Sequence, residues 1–445
     1  MDKRPVYILG AGFSKAIDNS MPTTDELGRR ISERLKEQGR ESSYHEKDSF
    51  EDWLSIQVQD LPFLDYGENL KRRSEAYDLI QAIGSVLDEI VEKVSLDKPW
   101  LEKLIRVWHA EKAIIITFNY DTLLERAINQ YGLHVSMYPE HGDFGFEPIS
   151  GDSVVFPSPR KLVVHSSKDE ILASDRSMQI IKLHGSLNWY WPGDDTPGAE
   201  VRLPMVETSE DRMLSAYTLG LKRLLIPPAS NKNNYYSHLF SQTLWMNAYK
   251  KIKEADRICF MGYSLPKTDF AVNEMLKMSP VNVPITIVDK KVNNFDGPRR
   301  RIFSACNQQA VSTQAFLSDI EKYAEIAFET QTQKTISQLR AAKEKWSGNT
   351  PILAGFLGKD PQRSNLEYYT IQSQLTLRFG ESVSCSQMAS GEIDCKTTIR
   401  IADLNAIFEN NEKIQIQYSN DVYYPIELSH CKVNGHQYLI LKFAK

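Results

Sequence analysis

A chain of 445 residues with 41% hydrophobic and 25% charged residues has the composition of a soluble globular protein long enough for two or three domains. Its formal net charge of −5 argues against a whole-chain nucleic-acid binder. No apolar run approaches the roughly 18 residues needed to span a bilayer, so no membrane association is expected.

The five cysteines, Cys259, Cys306, Cys385, Cys395 and Cys431, form no CxxC pair. No zinc is therefore expected. With no secretory apolar region, reduced thiols and a cytoplasmic location are.

Pro5-Val6-Tyr7-Ile8-Leu9 reads as a strand, followed at once by Gly10-Ala11-Gly12-Phe13-Ser14. Strand, Gly-x-Gly turn and helix is how a nucleotide-binding α/β domain begins, because glycines allow a tight turn and close backbone approach to a phosphate. The fingerprint is incomplete. Lys15 stands where a third glycine would fall, and no acidic residue ends a second strand about 20 residues on. The alternative is an ordinary tight turn.

Pro22, Thr23 and Glu26 form a capping-box signal for a helix running to about Gln38. Residues 39–48 read as a loop. Helical spacing then dominates from Ser49 to about His109. Phe50, Trp53 and Leu54 share one face, as do Tyr77, Ile80, Ile83, Leu87, Ile90 and Val91, and all are read as core of a helical insertion or cap.

Lys112-Ala113-Ile114-Ile115-Ile116-Thr117 is a β-branched run, hence a strand buried on both faces. Asn119 and Asp121 follow at its carboxyl end. Asp121 has a structural alternative as N-cap of a helix from Thr122 to Asn129; Asn119 has none. Residues 131–180 are rich in Gly, Pro, Ser and His and read as an excursion, with β pieces at Ser153 to Phe156 and Lys161 to His165. His134, His141 and His165 lack metal-ligand spacing and read as surface or loop histidines.

The apolar run Met178 to Leu183 reads as a strand ended by His184-Gly185. A histidine there is placed and poised for proton transfer near neutral pH, or else is a hydrogen-bonded core residue. Residues 192–210 look irregular. A helix is expected over about 211–222, a polar loop over 229–234 and a helix over 235–254. Arg257 to Met261 reads as a strand closed by Gly262-Tyr263-Ser264-Leu265-Pro266, with a helix from Thr268 to Lys277. Ile285 to Val288 is a further strand. Asp289 at its end suits an adenosine ribose hydroxyl or starts a turn. Helices are expected over 296–306 and 312–346.

From Gly348 alternating apolar residues predict strands at 372–379, 397–401, 413–418 and 437–443. The organisation expected is an α/β domain over 1–310 with a Rossmann-like parallel sheet and a helical insertion over 49–110. A helical connector over 311–347 and a small β-rich C-terminal domain over 348–445 follow, the last regulatory or used in oligomerisation.

Four strand ends thus carry small or polar groups, and open parallel sheets bind ligands outside the carboxyl ends of their strands. In this order the segments resemble the sirtuin (SIR2) superfamily, and specifically its SIR2-like NADase branch of bacterial anti-phage defence. Gly10-Ala11-Gly12-Phe13-Ser14 resembles the family's GAGxS loop, and Thr117-Phe118-Asn119-Tyr120-Asp121 its T-Q-N-x-D segment. Leu183-His184-Gly185 resembles its L-H-G, and Gly262-Tyr263-Ser264 its G-x-S ribose segment.

The resemblance covers roughly residues 1–300. It implies NAD+ as substrate, with cleavage of the nicotinamide–ribose bond. It also implies that Asn119 positions water or ribose, Asp121 holds the carboxamide, and His184 acts as general base. Ser14 and the loop N–H groups would hold phosphate, and Asp289 would fall near the adenosine.

Three departures bear on the reaction. No zinc cysteines are present, which counts against protein deacetylation. Phe118 replaces the family glutamine, and the D-F-R after the first proline is absent, which favours access of water. The expected function is an NAD+ hydrolase, a gated effector of abortive infection by NAD+ depletion. Its gate would be the C-terminal domain, homo-oligomer formation, or a partner such as a HerA-like ATPase or a nucleic-acid sensor. The alternatives are a sirtuin-type deacylase or ADP-ribosyltransferase, which would need an acyl-lysine peptide, and an NAD- or ADP-ribose-binding regulatory subunit. Retention of His184 and Asn119 argues against the last.

Overall fold

Six strands, contributed by segments spread over more than 300 residues, build one parallel sheet. They are β1 (Arg4–Leu9), β2 (Ile114–Thr117), β3 (Gln179–Lys182), β4 (Ala255–Met261), β5 (Ile285–Val288) and β6 (Gln314–Leu317). Their spatial order is 3-2-1-4-5-6, all pairs parallel. This is the doubly wound order, in which the chain reverses direction between β1 and β4 and opens a crevice at their carboxyl ends. Leu9 lies level with both Thr117 and Met261, so the segments after β1, β2 and β4 leave the sheet side by side.

The computed structural model describes residues 3–131 except 41 and 46, then 146–149, 160–165, 170–175, 178–192, 201–204, 216, 219–229, 236, 238–279, 283–291, 293, 297–306, 314–346, 350–356, 375–379, 381–385, 399–400, 414–418, 421–433 and 436–445.

The helices are α1 (Ala11–Ile17), α2 (Thr24–Glu37), α3 (Phe50–Gln57), α4 (Tyr66–Val91), α5 (Pro99–Ala110), α6 (Leu123–Gln130), α7 (Leu239–Lys253), α8 (Phe270–Lys277), α9 (Pro298–Ala305) and α10 (Ile320–Lys345). They cover both faces of the sheet. Successive residues of a strand point to opposite faces, and β1 shows it: Tyr7 and Leu9 join the core shared with α1–α6 and α10, while Val6 and Ile8 join the core shared with α7–α9. This two-sided burial is why the β-branched runs carry no polar alternation.

The helical reading of 49–110 is realised as α3, α4 and α5, and Phe50, Leu54, Ile83, Leu87 and Val91 are buried in it. Tyr77, expected in the core, is instead 49% exposed, with the Lys222 ammonium 5.8 Å from its ring centre. Helical spacing places it at the edge of the apolar stripe, where an amphipathic ring tolerates water.

At the start of α2 the Glu26 carboxylate accepts from the Thr23 backbone N–H at 2.7 Å, and Lys15 of α1 pairs with it at 2.6 Å. Burial pushes this carboxyl up, but Lys15 and Thr23 outweigh burial and bring it down to about 2. A carboxyl depressed in the folded state contributes stability above its unfolded pKa of 4.5 that is lost as pH falls through the folded value. With solvent screening at a partly exposed pair, Glu26→Gln is expected to cost about 1–2 kcal/mol at pH 7. That difference should shrink towards zero between pH 4.5 and 2, as read from urea midpoints of the two proteins across that range.

Two segments depart from the sequence reading. Residues 314–317, expected as helix, form β6, paired with β5 from Ile285↔Gln314 to Val288↔Leu317. No β-branched residue marks them, so pairing at the sheet edge decides. The helix begins only after Asp319, whose carboxylate caps it by accepting from the Glu321 N–H. The helix expected to reach Lys222 ends earlier: Gly220 has φ +64, the Leu221 N–H closes back on Ala216 O, and Lys222–Leu225 is a strand. Residues 211–215 lie outside the described residues. α7 starts at Leu239, four residues after the expected start.

Gly185–Trp191 continues directly from β3 into a four-stranded sheet in the order Phe146–Ile149, Val201–Pro204, Gly185–Trp191, Lys222–Leu225. The expected β piece at 161–165 is a strand paired with Glu170–Asp175. The one expected at 153–156, with His134 and His141, lies outside the described residues.

The C-terminal region is a seven-stranded, mostly antiparallel sheet. The four expected strands are present as Leu375–Phe379, Ile399–Arg400, Gln415–Tyr418 and His436–Ala444. Pro351–Phe356, Glu381–Cys385 and Asp421–Val433 add three more, and Pro351–Phe356 pairs parallel with His436–Ala444. This sheet sits directly on the α/β body. Gln331 of α10 donates to Ile426 O at 2.9 Å, and buried Glu427 pairs with Lys112 at 2.8 Å and Lys442 at 3.2 Å. Among the described residues no helix is long and apolar enough to cross a membrane.

Candidate active site

The crevice between β1 and β4 is closed by backbone. The Gly10 N–H donates to Met261 O and the Gly12 N–H to Gly262 O at 3.0 Å, while the Phe13 N–H turns back to Gly10 O. Gly262 has φ +56, and a Cβ there would stand 2.3 Å from the Phe13 nitrogen. The glycines at 10, 12 and 262 thus let two loops touch. Three of the N–H groups expected to face a phosphate are committed to protein carbonyls, and Ala11 opens α1 between them.

Beside this contact lies a chain of side-chain hydrogen bonds. Asn119 Nδ2 donates to Gly10 O at 2.9 Å and to Ser14 Oγ at 2.8 Å. Ser14 Oγ donates to Asp121 Oδ2 at 2.7 Å. Asp121 Oδ1 accepts from the Leu123 N–H at 3.1 Å, so it also serves the start of α6. A primary amide has two N–H groups. Both are engaged here, so Asn119 presents only its carbonyl oxygen to a ligand. Phe13, Ser14, Thr117, Asn119, Asp121 and Glu125 line a void with room for about one water molecule. That is far below the roughly 300–1,000 Å³ that encloses a small-molecule ligand, so no part of a dinucleotide seats inside it.

Lys182 holds this loop from beneath and has no role in the sequence reading. Its ammonium donates to Asp121 O at 2.5 Å and to Glu125 Oε1 at 2.9 Å, with Tyr120 O at 3.4 Å. Both members of the Lys182–Glu125 pair are buried. A lone lysine inside an apolar strand was the available signal, since a buried ammonium needs partners.

His184 stands where β3 ends. Gly185 has φ +85, and a Cβ would lie 2.0 Å from Leu224 O, so only glycine makes the bend into the next sheet. The His184 carbonyl accepts from the Ile226 N–H at 2.9 Å. Its ring lies 5.0 Å from that of Phe118, and Phe118 stacks on Tyr263 at 4.6 Å. His184 Nε2 is 3.7 Å from Asp269 Oδ1, and Tyr263 Oη donates to Asp269 Oδ2 at 3.0 Å. Burial, then the Asp269 charge, hold the Tyr263 phenol well above its ordinary pKa, so it stays a donor.

The structure therefore groups the expected residues into two adjoining clusters. Ser14, Asn119 and Asp121 form one; His184 with Phe118 forms the other, and Phe118–Asn119 is the peptide that joins them. Ser264 is exposed, and its carbonyl accepts from Arg301 Nε at 2.8 Å. Leu265 after it has φ +47, a left-handed conformation that costs about 1–3 kcal/mol outside glycine and is typical of functional loops. Asp289 accepts from the Lys291 N–H at 2.7 Å on Oδ1 and so starts a turn after β5. Among the described residues no group of three His, Cys, Asp or Glu side chains could hold a metal ion.

Residues 113–279 match the family model described as SIR2-like domain. The match includes Asn119, Asp121, His184, Gly262 and Ser264 and leaves out Gly10–Ser14 and Asp289. Two solved structures are similar to the chain. One is a crystal structure of a Sir2 homolog–NAD complex, with 13% identity, 74% of this chain and 90% of that chain covered, and a TM-score of 0.32. The other is a mutant Sir2 homologue in complex with 2′-O-acetyl-ADP-ribose, with 12% identity, 74% and 92% covered, and a TM-score of 0.36. No curated protein matches the chain.

Proposed function

We propose that this chain, whose residues 113–279 match the SIR2-like domain model, hydrolyses NAD+ to nicotinamide and ADP-ribose. The water oxygen bonds to the ribose anomeric carbon as the bond to the nicotinamide nitrogen breaks, its electron pair leaving with nicotinamide. The water's proton passes to His184. Departure of nicotinamide builds positive charge on the sugar, which oriented polar groups in a dry site stabilise.

The observation that carries this reading is Asn119, whose two committed N–H groups leave its carbonyl oxygen as the atom offered to a ligand. That oxygen suits a water proton or a ribose hydroxyl. Asp121 and Ser14 act as positioning residues for it. Use of the activity in anti-phage defence by NAD+ depletion, and gating by self-assembly, a HerA-like ATPase or a nucleic-acid sensor, rest on the resemblance to SIR2-like NADases.

The test is NAD+ consumption by the purified full chain, with products separated by chromatography. Nicotinamide and ADP-ribose in equal amounts, without any acyl-lysine peptide, are expected. NAD+ binding without turnover would make the chain a regulatory subunit, and release dependent on an acyl-lysine peptide would make it a deacylase.

A further inference from the structure

The connection between α3 and α4 presents large apolar side chains to solvent. Phe63 and Tyr66 are 78% and 77% exposed, and Ile56 and Leu70 are exposed with them. The backbone beneath is fixed. Asn69 Oδ1 accepts from the Leu61 N–H at 2.9 Å and its amide donates to Leu61 O at 3.1 Å, while Arg72 donates to Ile56 O at 2.7 Å and to Gln59 O at 3.2 Å. Tyr66 and Leu70 are one helical turn apart and share a face of α4. The segment is therefore a rigid knob, which loses little conformational entropy on docking. Grouped exposed apolar side chains of this kind mark a contact surface.

A second such surface lies on α7 and α8. Met246 is 71% exposed and Met278 65%, and Leu239 and Phe270 are exposed as well. The two helices meet where Tyr249 Oη, three residues beyond Met246, donates to Met278 O at 3.2 Å. Methionine and aromatic side chains are those enriched at the centres of interfaces.

The two surfaces differ in charge. Residues 49–70 hold five acidic side chains and no basic one. Of the three cations that follow, Arg72 is occupied by the carbonyls of Ile56 and Gln59, and Arg73 pairs with Asp60 at 2.9 Å. Residues 239–254 instead hold three lysines, Lys250, Lys251 and Lys253, against the single acid Glu254. The surfaces also face opposite ways. Leu54 of α3 and Leu79 of α4 pack into the core on one side of the parallel sheet, and Leu244 of α7 and Leu276 of α8 into the core on the other. One chain cannot cover its knob with its own α7 and α8; a second copy can.

We propose that copies of this chain assemble head to tail, with the Phe63–Tyr66 knob of one seated on the α7–α8 surface of the next. Such a heterologous contact leaves a free knob at one end and a free surface at the other, so it grows into a ring or a filament. The inference goes beyond NAD+ hydrolysis and stands apart from it, since neither surface contains Ser14, Asn119, Asp121 or His184.

The test is the mass of the full chain by analytical ultracentrifugation over a range of concentrations. Species larger than the 50.9 kDa monomer are expected, and added salt should weaken them because the charges are exposed. Phe63→Asp and Met246→Asp should each weaken assembly by about 30-fold or more, the loss typical of a central interface anchor. Both positions are exposed, so thermal midpoints should match the wild type. At a concentration where each variant alone is monomeric, an equal mixture of the two should form a dimer and nothing larger, because one intact knob and one intact surface remain between them. A wild type that stays monomeric overturns the proposal, as do variants that assemble like the wild type. A mixture that stays monomeric also overturns it, since each patch would then pair with its own kind. Binding of monomeric wild type to anionic-lipid vesicles, lost in Met246→Asp, would overturn it by making α7 and α8 a membrane surface.

Discussion

Replacing Asn119 with alanine is expected to lower NAD+ turnover by about 10³-fold, the loss typical when an oriented polar group at a developing charge is removed. The loss should fall on kcat more than on KM, since the group acts on the reacting centre rather than on the bulk of the dinucleotide. Stability should change little. The two lost hydrogen bonds contribute about 0.5–1.5 kcal/mol each, and Asn119 is only half buried, so water replaces part of them.

Asn119→Asp separates orientation from mere polarity. It keeps an oxygen where the acceptor sits but turns a carboxylate oxygen, which carries no hydrogen, towards Gly10 O and Ser14 Oγ. The aspartate variant is expected to be as slow as the alanine variant. Steady-state kinetics of both, with circular dichroism to confirm folding, decide the point. An aspartate variant at the wild-type rate would mean that the two N–H bonds do not set the geometry.

What the chain's residue pattern disclosed about this site follows from one physical circumstance. Strands buried on both faces must be apolar, so any polar residue at their ends stands out: Asn119 after Ile114-Ile115-Ile116, and His184 after Ile180-Ile181. Gly262 was visible for the same reason. The residues that act at a distance in sequence were not.

Lys182 belongs to a strand that otherwise reads as core, and its partners Asp121 and Glu125 come from the preceding crossover. Asp269 sits where a helix cap is the ordinary explanation, and only the fold shows its carboxylate 3.7 Å from His184 Nε2. The glycines at 10 and 12 suggested a phosphate, whereas their immediate effect is contact with Gly262, a loop more than 240 residues away. β6 was hidden because its pairing with β5 is a tertiary interaction that overrides a weak local pattern.

Lys182→Met is expected to destabilise the protein by about 3–5 kcal/mol, because it strips the ammonium from a carboxylate that stays buried. Methionine fills a similar volume, so a cavity does not account for the cost. Glu125 is left with an uncompensated charge, and Asp121 O and Tyr120 O lose a donor. A urea titration should show a lower midpoint at an unchanged slope.

The double variant Lys182→Met, Glu125→Leu removes both charges, and on the same physics should recover most of the lost stability. Turnover of NAD+ should not return with it. The carbonyls of Tyr120 and Asp121 still lack the ammonium that ties them to β3, and these residues flank the turn that sets Asn119 and Ser14 in register. A double variant that is both stable and slow would place Lys182 among the residues that preorganise the site. One that regained full turnover would confine the lysine to holding β3 and α6 together.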